Sequence, residues 1–211
     1  MPEQTLIRAT DRNRQPILEQ LQGLLPAQGS ALEIASGSGQ HALWFTAGLP
    51  GWRWQASEVQ AQALPSLAAD LAGVAPDRLP PPVRLDVLDA QWPSEGPAFN
   101  APFDVIFCAN MLHIAPWETC AGLMQGSARH LAPRGLLVIY GPFLEDAVRT
   151  AASNQAFDED LRRRNAQWGL RKLQDVLGTA AASGLRLQRR VAMPANNLLL
   201  VFSRGAPAAS R

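Results

Sequence analysis

The feature that most constrains the fold is residues 31–42, whose sequence is ALEIASGSGQHA. This segment predicts a short apolar strand with the acidic Glu33 near its end, then a G-x-G turn and the start of a helix. Gly37 and Gly39 allow the backbone to turn sharply and to approach a ligand without an intervening Cβ. The helix start supplies free N–H groups and a positive dipole end. The segment therefore predicts a binding site for a nucleotide cofactor.

The glycine turn is compatible with more than one cofactor. Glu33 comes four residues before Gly37, and an acid there suits S-adenosylmethionine, with its sulfonium, α-ammonium and ribose, better than a pyrophosphate. However, Gly37, Gly39 and Ala42 also match G-x-G-x-x-A, the dinucleotide-binding fingerprint, and Glu58 follows at about the distance of its acidic residue, roughly 20 residues on. A third interpretation is that the glycines only shape a tight turn. On this motif alone, the three interpretations stay open.

Composition and charge limit the classes of function. With 211 residues, of which 47% are apolar and 18% are charged, the chain is expected to form one globular domain over residues 1–204. A net charge of +1 offers no broad attraction for nucleic acid or an acidic membrane. Cys108 and Cys120 lack metal-ligand spacing and are expected to be buried free thiols in a reducing compartment. No signal peptide or membrane span is evident, so the expected location is the cytoplasm.

Strands and helices alternate through most of the chain. The predicted strands are residues 31–35, 52–56, 83–87, 103–108 and 135–141. Helical patterns lie between them at residues 39–48, 60–72 and 116–131. This alternation predicts a parallel sheet with helices on both faces and a ligand site at the carboxyl ends of the strands.

Further segments flank this alternating core. Residues 1–28 are predicted to contain an amphipathic helix ahead of the first strand. A helix over residues 170–180 then leads into two strands, Leu185–Met193 and 198–203, joined by a Pro/Asn turn. These strands predict a hairpin, which places one antiparallel strand in the sheet. Residues 205–211 are expected to be a flexible tail.

Five segments in order resemble a class I S-adenosylmethionine-dependent methyltransferase: residues 33–39, 54–58, 85–89, 103–113 and 131–141. More narrowly, the chain resembles an uncharacterised methyltransferase-like family, a domain of unknown function, in the runs EIASGSGQHA, FCANMLHIAPW, YGPF, SNQAFD and MPANNLLLVF. This resemblance covers nearly the whole chain. It implies that the helix within residues 1–28 covers the cofactor as a lid and that residues 150–168 form a cap over the substrate. It implies an α/β, Rossmann-like fold whose seven-stranded, mostly parallel sheet has the order 3-2-1-4-5-7-6, and the closing hairpin agrees with it. It also implies S-adenosylmethionine as cofactor and S-adenosylhomocysteine as product, but no particular substrate.

The resemblance further implies a set of cofactor-binding residues: Glu33, Ala35, Gly37, Gly39, Glu58, Asp86, Val87, Asn110 and Met111. In the family pattern, the acid at Glu33 reaches the methionine ammonium, and the acid at Glu58 accepts from both ribose hydroxyls. The acid at Asp86 receives the adenine amino group, and Asp89 is an alternative to it. Each of these carboxylates has a plainer interpretation as a helix cap or a solvated loop charge.

The remaining positions of this pattern contact the cofactor through backbone or apolar atoms. Ala35 and Gly37 match the backbone that passes under the methionine and adenosine portions. Val87 matches a residue that lines the adenine ring, and Asn110 and Met111 match residues beneath the sulfonium.

His113 and Tyr140 are the candidate catalytic residues. Methyl transfer is an in-line displacement, so the protein chiefly positions the reactants and excludes water. A base is needed only when the nucleophile carries a proton, and His113, after the fourth strand, has a side chain that titrates near neutrality. Tyr140 ends the fifth strand, where its hydroxyl can orient a substrate. For both residues, packing in the core is the alternative interpretation.

Other polar residues carry weaker signals. Arg162, Arg163 and Arg164 predict either a clamp for an anionic substrate or a solvated helix face. The three histidines are scattered, with no matching carboxylate cluster, so no metal site is expected.

The sequence thus favours S-adenosylmethionine-dependent methyl transfer to a small molecule, without a nucleic-acid or membrane partner. After the fourth strand, residues 110–113 read NMLH and lack the Asn/Asp-Pro-Pro-Tyr/Phe run of many base and amide N-methyltransferases. Two alternatives remain. One is an NAD(P)-dependent oxidoreductase on the same glycine turn, and the other is a non-catalytic protein that binds the cofactor or a partner.

Overall fold

A computed structural model describes the backbone of residues 2–205 and the side chains of residues 11–205. The helices are α1 (Pro2–Leu24), α2 (Gln40–Gly48), α3 (Leu64–Leu71), α4 (Glu118–His130), α5 (Ala152–Arg164) and α6 (Leu173–Ala182). The strands are β1 (Gly29–Ile34), β2 (Trp52–Glu58), β3 (Val83–Arg84), β4 (Phe103–Ala109), β5 (Leu131–Gly141), β6 (Phe143–Leu144), β7 (Arg171–Lys172), β8 (Leu185–Met193) and β9 (Asn197–Arg204). Apart from Gly205, the expected tail at 205–211 lies outside the described residues.

The main sheet confirms the predicted topology. Its order is β3-β2-β1-β4-β5-β9-β8, which becomes 3-2-1-4-5-7-6 when the separate small sheet of β6 and β7 is left out of the count. Strands β1 to β5 pair in parallel, whereas β9 is antiparallel to both β5 and β8. In this register Glu33 lies opposite Ala56 of β2 and Phe107 of β4. The carboxyl ends of the central strands therefore meet at one edge, with Glu33 near it.

Two core layers sandwich the sheet, and β4 contributes to both. Val105 and Phe107 pack with α1, α2 and α3, while Ile106 and Cys108 pack with α4 and α6. This alternation follows from the two-residue period of a strand, and it is apolar on both faces because helices cover both. Cys108 and Cys120 are buried and free, as predicted. None of the described helices is long and apolar enough to cross a membrane.

The structure corrects one predicted helix boundary. The helix expected from Leu170 begins only at Leu173, because Arg171 and Lys172 pair instead with Phe143 and Leu144 in the small sheet. The N–H of Leu170 donates to the Asp158 carboxylate over 2.6 Å. That N–H is thus already bonded to α5, and the chain stays extended through β7 before α6 starts.

Candidate functional site

A cavity of about 750 Å³ opens at the carboxyl ends of β1, β2 and β4, where the sequence predicted a ligand site. Its walls are the glycine turn after β1, the end of β2, the segments that follow β3 and β4, and part of α3. This volume lies within the range of cavities that hold small ligands and cofactors, about 300–1,000 Å³.

Two cavity-lining residues adopt the left-handed backbone conformation, although neither is glycine. Ala35 has φ 56° and Asn110 has φ 61°. A residue with a Cβ pays about 1–3 kcal/mol for such a conformation, although Asn tolerates it better than Ala. These strained positions turn the chain away from β1 and β4 at the point where each strand reaches the cavity.

The two glycines of the turn serve different purposes. Gly37 lines the cavity, and a Cβ built on it would meet no atom within 4 Å, so it is the φ of 55° that favours glycine there. Gly39 has φ 72° and does not line the cavity. A Cβ on Gly39 would lie 2.7 Å from Leu71 and 2.8 Å from Leu67, so this glycine lets α3 pack closely against the turn.

Seven of the nine predicted cofactor-binding residues line the cavity: Ala35, Gly37, Glu58, Asp86, Val87, Asn110 and Met111. Glu33 and Gly39 lie behind its wall. Of the two acidic alternatives after β3, Asp86 lines the cavity and Asp89 does not.

Glu58 and Asp86 are both held by backbone amides. One Glu58 oxygen accepts from the N–H of Gly37 at 3.2 Å, and the other accepts from the N–H of Val59 at 2.8 Å. Asp86 accepts from the N–H of Leu88 at 2.9 Å. Because each carboxylate oxygen has a second lone pair, both side chains can accept further hydrogen bonds from a ligand while the backbone fixes their direction.

Glu33 is only 2% exposed and lies beneath His41, which does line the cavity. Trp54 donates its indole N–H to one Glu33 oxygen over 2.8 Å, and His41 Nδ1 is 3.8 Å from the other. Burial raises the pKa of Glu33 to about 8 in spite of the hydrogen bond from Trp54. This carboxyl is therefore mostly protonated at neutral pH when no cation lies beside it.

Gln40, which sequence reasoning did not select, is a further acceptor at the cavity. It opens α2, and its side-chain carbonyl oxygen is buried without a hydrogen-bond donor among the described residues. An orphaned buried acceptor in a cavity wall marks a place where a ligand N–H or O–H group fits. The position directly after the G-x-G turn was the sequence signal that could have identified it.

Neither of the two candidate catalytic residues, His113 and Tyr140, lines the cavity. Their side chains also pack on opposite faces of the sheet. His113 is 1% exposed, packs edge-on against Phe143, and has no hydrogen-bond partner for either ring nitrogen among the described residues. Burial, with a smaller effect of Arg171, lowers the pKa of His113 to about 3. Tyr140 packs in the layer of α1 and α2, where Asn13 hydrogen-bonds its hydroxyl and burial raises its pKa to about 12. Both side chains are therefore uncharged at neutral pH.

The predicted cap contributes one cavity residue, Trp168, which follows α5. The guanidinium of Arg164 lies 5.2 Å from the centre of the Trp168 ring, and the N–H of Gly169 donates to the carbonyl of His113 at 3.0 Å. Trp168 was not selected from the sequence, and its place as an aromatic residue at the end of the predicted cap was the one signal that could have identified it.

The three consecutive arginines of α5 form ion pairs with carboxylates of the same helix. Arg162 pairs with Asp158, while Arg163 and Arg164 both face Asp160. These contacts favour the interpretation of a solvated helix face over that of an anion clamp. Within residues 11–205, no cluster of three His, Cys, Asp or Glu side chains could hold a metal ion.

A family model described as a protein of unknown function, DUF938, matches residues 4–204 of this chain. The match thus spans the whole sheet and the flanking helices, apart from the first two residues of α1.

Solved methyltransferase structures share the fold. Human N-acetylserotonin methyltransferase in complex with S-adenosylmethionine has a TM-score of 0.75 at 14% identity, over 97% of this chain and 55% of that one. An O-methyltransferase family protein from Burkholderia thailandensis has a TM-score of 0.74 at 18% identity, over 98% and 60%. Mitomycin 7-O-methyltransferase MmcR has a TM-score of 0.71 at 19% identity, over 84% and 49%. The chain spans about half the length of these structures, and at such identities the likeness shows the fold.

Proposed function

The chain belongs to the DUF938 family of proteins of unknown function, and we propose that it is an S-adenosylmethionine-dependent methyltransferase that acts on a small molecule. One observation carries this proposal: none of the described residues that line the cavity is a lysine or an arginine, whereas Glu58, Asp70 and Asp86 all line it and Glu33 lies directly behind it. Such a wall favours a cationic nucleoside and disfavours the pyrophosphate of a dinucleotide. The oxidoreductase alternative and the non-catalytic alternative gain no support from this site.

The acceptors around the cavity match the groups of this cofactor. Glu33, once ionised, and the orphaned carbonyl oxygen of Gln40 suit the α-ammonium group, which carries only donors. Glu58 is directed at the rim of the glycine turn, where it would accept from the two ribose hydroxyls. Asp86 would accept from the adenine amino group, with Val87 against the ring.

When bound, S-adenosylmethionine supplies a methyl group on a sulfonium that leaves without protonation. The protein then has to hold the acceptor in line and to exclude water. Asn110 and Met111 line the cavity after β4, and Trp168 closes it from the side of α5. These three side chains would cover the reacting end of the cofactor.

His113 and Tyr140 stay our proposed catalytic residues, although neither side chain lines the cavity and an acceptor would have to reach them past its wall. The unpartnered imidazole of His113 can accept a hydrogen bond from a hydroxyl, and its low pKa means that it orients the acceptor rather than retaining its proton. The hydroxyl of Tyr140 would stay protonated and available as a donor. A partly enclosed cavity of about 750 Å³ supports a small molecule as the acceptor.

Calorimetric titration of the purified protein with S-adenosylmethionine, S-adenosylhomocysteine, NADH and NADPH tests the proposal. We expect micromolar binding of the first two and none of the nicotinamide cofactors. Glu33→Ala and Glu58→Ala should weaken binding at least tenfold. Asp175→Ala, which removes an exposed carboxylate of α6 outside the cavity, should not. Binding of NADH or NADPH instead would refute the proposal.

A further inference from the structure

A buried chain of polar side chains connects α1 to Glu33, and the proposed function leaves it unexplained. Asn13 of α1 accepts a hydrogen bond from His41 Nε2 at 2.8 Å, and the other ring nitrogen of His41 faces Glu33 at 3.8 Å. Asn13 is also hydrogen-bonded to the Tyr140 hydroxyl, and Trp54 completes the chain on the far side of Glu33. All five residues are less than 9% exposed.

The hydrogen bonds of Asn13 determine which nitrogen of His41 carries the proton. The Asn13 amide oxygen can only accept, so its partner His41 Nε2 must bear the hydrogen. In the neutral ring, Nδ1 then presents a lone pair to Glu33. A carboxylate opposite a lone pair is repelled, whereas a carboxylic acid can donate to it. The geometry therefore favours a protonated Glu33 when no cation lies beside it.

The charged groups around Glu33 and His41 do not reverse this preference for a protonated Glu33. Burial, with a smaller effect of Arg14 of α1, lowers the pKa of His41 to about 4, so the ring does not take up the proton of Glu33. The groups that face the pair are Asn13 and Arg14 from α1, Trp54 from β2, Cys108 from β4, and Tyr140 from β5 through Asn13. The charged groups here are Arg14, which acts on His41, and Arg12 of α1, which acts on Tyr140.

We propose that Asn13 and His41 are positioning residues that keep a proton on Glu33 until the cofactor ammonium arrives, so that cofactor binding releases one proton to solvent. This inference rests on the proposed function, because it takes the ammonium of S-adenosylmethionine as the ligand of Glu33. The O–H bond of Glu33 breaks, its proton passes to the buffer, and the resulting carboxylate pairs with the ammonium. The helix α1 thereby sets the pH at which the cofactor binds well.

Calorimetry in buffers of different ionisation enthalpy counts the protons released. At pH 6–7 the ligand's own amino group is largely protonated, since the pKa of an α-amino group is about 7.7–8.0. We expect close to one proton released per S-adenosylmethionine, and an affinity that rises about tenfold per pH unit over this range. S-adenosylhomocysteine should release the same number, because it keeps the ammonium and lacks only the sulfonium.

Variants of α1 separate the positioning role from general stability. In Asn13→Asp, the new carboxylate keeps a proton on His41, and the imidazolium then ionises Glu33 before the ligand arrives. We expect less than half a proton released and an affinity that no longer changes with pH. Asn13→Ala frees His41 to point an N–H at Glu33 and should lower the count in the same direction. Gln22→Ala removes a different contact of α1 with α2, the hydrogen bond to the Gly48 carbonyl, and should leave the count unchanged.

The outcomes are distinct. Binding of S-adenosylmethionine without proton release overturns this inference and leaves the proposed function standing. A full proton released by both Asn13 variants overturns the role of α1. No binding of either adenosyl ligand refutes the proposed function itself.

Discussion

Replacing Glu33 by Gln should change the way in which the stability of the empty protein depends on pH. The Gln side chain keeps the acceptor for Trp54 and can donate to His41, so it fits the site without a charge. In the wild type, folding raises the pKa of Glu33 from 4.5 to about 8. An acid with a raised pKa contributes most to stability below its unfolded value, and this contribution is lost as the pH rises towards the folded value. The loss amounts to roughly 4 kcal/mol between pH 5 and pH 8.

Urea denaturation at several values between pH 5 and pH 8 measures this contribution. We subtract the free energy of unfolding of the wild type from that of Glu33→Gln at each pH. This difference should increase steadily with pH, because only the wild type loses the contribution of Glu33. This difference isolates Glu33, since His41 and His113 titrate in both proteins. Asp175→Asn, at an exposed carboxylate on α6, provides the control and should give a flat difference. If the difference for Glu33→Gln is also flat, Glu33 does not hold its proton in the folded state, and the argument from burial is wrong.

Two further pairs of variants test the packing around the site. Gly126→Ala should lower the free energy of unfolding by about 1–3 kcal/mol, because the new Cβ would lie 1.9 Å from the fully buried ring of Trp92. Gly178→Ala, on an open face of α6, should raise the free energy of unfolding by about 0.5–1 kcal/mol. If urea denaturation shows the same change for Gly126→Ala and Gly178→Ala, the packing of Trp92 against Gly126 is not what decides the effect. Arg171→Ala should lower the free energy of unfolding by on the order of 2 kcal/mol and weaken S-adenosylmethionine binding in calorimetry. The reason is that the Arg171 guanidinium donates to backbone carbonyls of the loop after β4, which lines the cavity. Arg163→Ala removes only an exposed ion pair and should change either quantity by less than about 0.5 kcal/mol, so a similar loss in both variants would argue against a specific role of Arg171.

The sheet and most of the cavity-lining acidic residues were accessible from the sequence because their signals are local. Residues 31–42 hold the strand, the glycine turn and the helix start within one short window. Glu58 and Asp86 each end or follow an apolar run, and parallel strands bring such ends together at one edge. Resemblance to a known family added the expected cofactor and the strand order.

Features that depend on partners far along the chain were not accessible. Strands β6 and β7 have two residues each, too few to show a period, and they exist because Phe143 pairs with Arg171. Likewise, Asn13 and His41 are 28 residues apart, and nothing in either local pattern indicates their hydrogen bond. The burial of Glu33 under His41, which gives this carboxyl its unusual pKa, also follows only from the packed structure.

The position of β9 between β5 and β8 bears on how the protein is made. Strand β8 precedes β9 in the chain, yet it joins the sheet only through β9. During synthesis, the edge of β5 therefore stays unpaired until residues 197–204 have left the ribosome. An unpaired apolar edge readily pairs with other chains. The hairpin thus both completes the sheet and ends the period in which the nascent chain is most prone to aggregate.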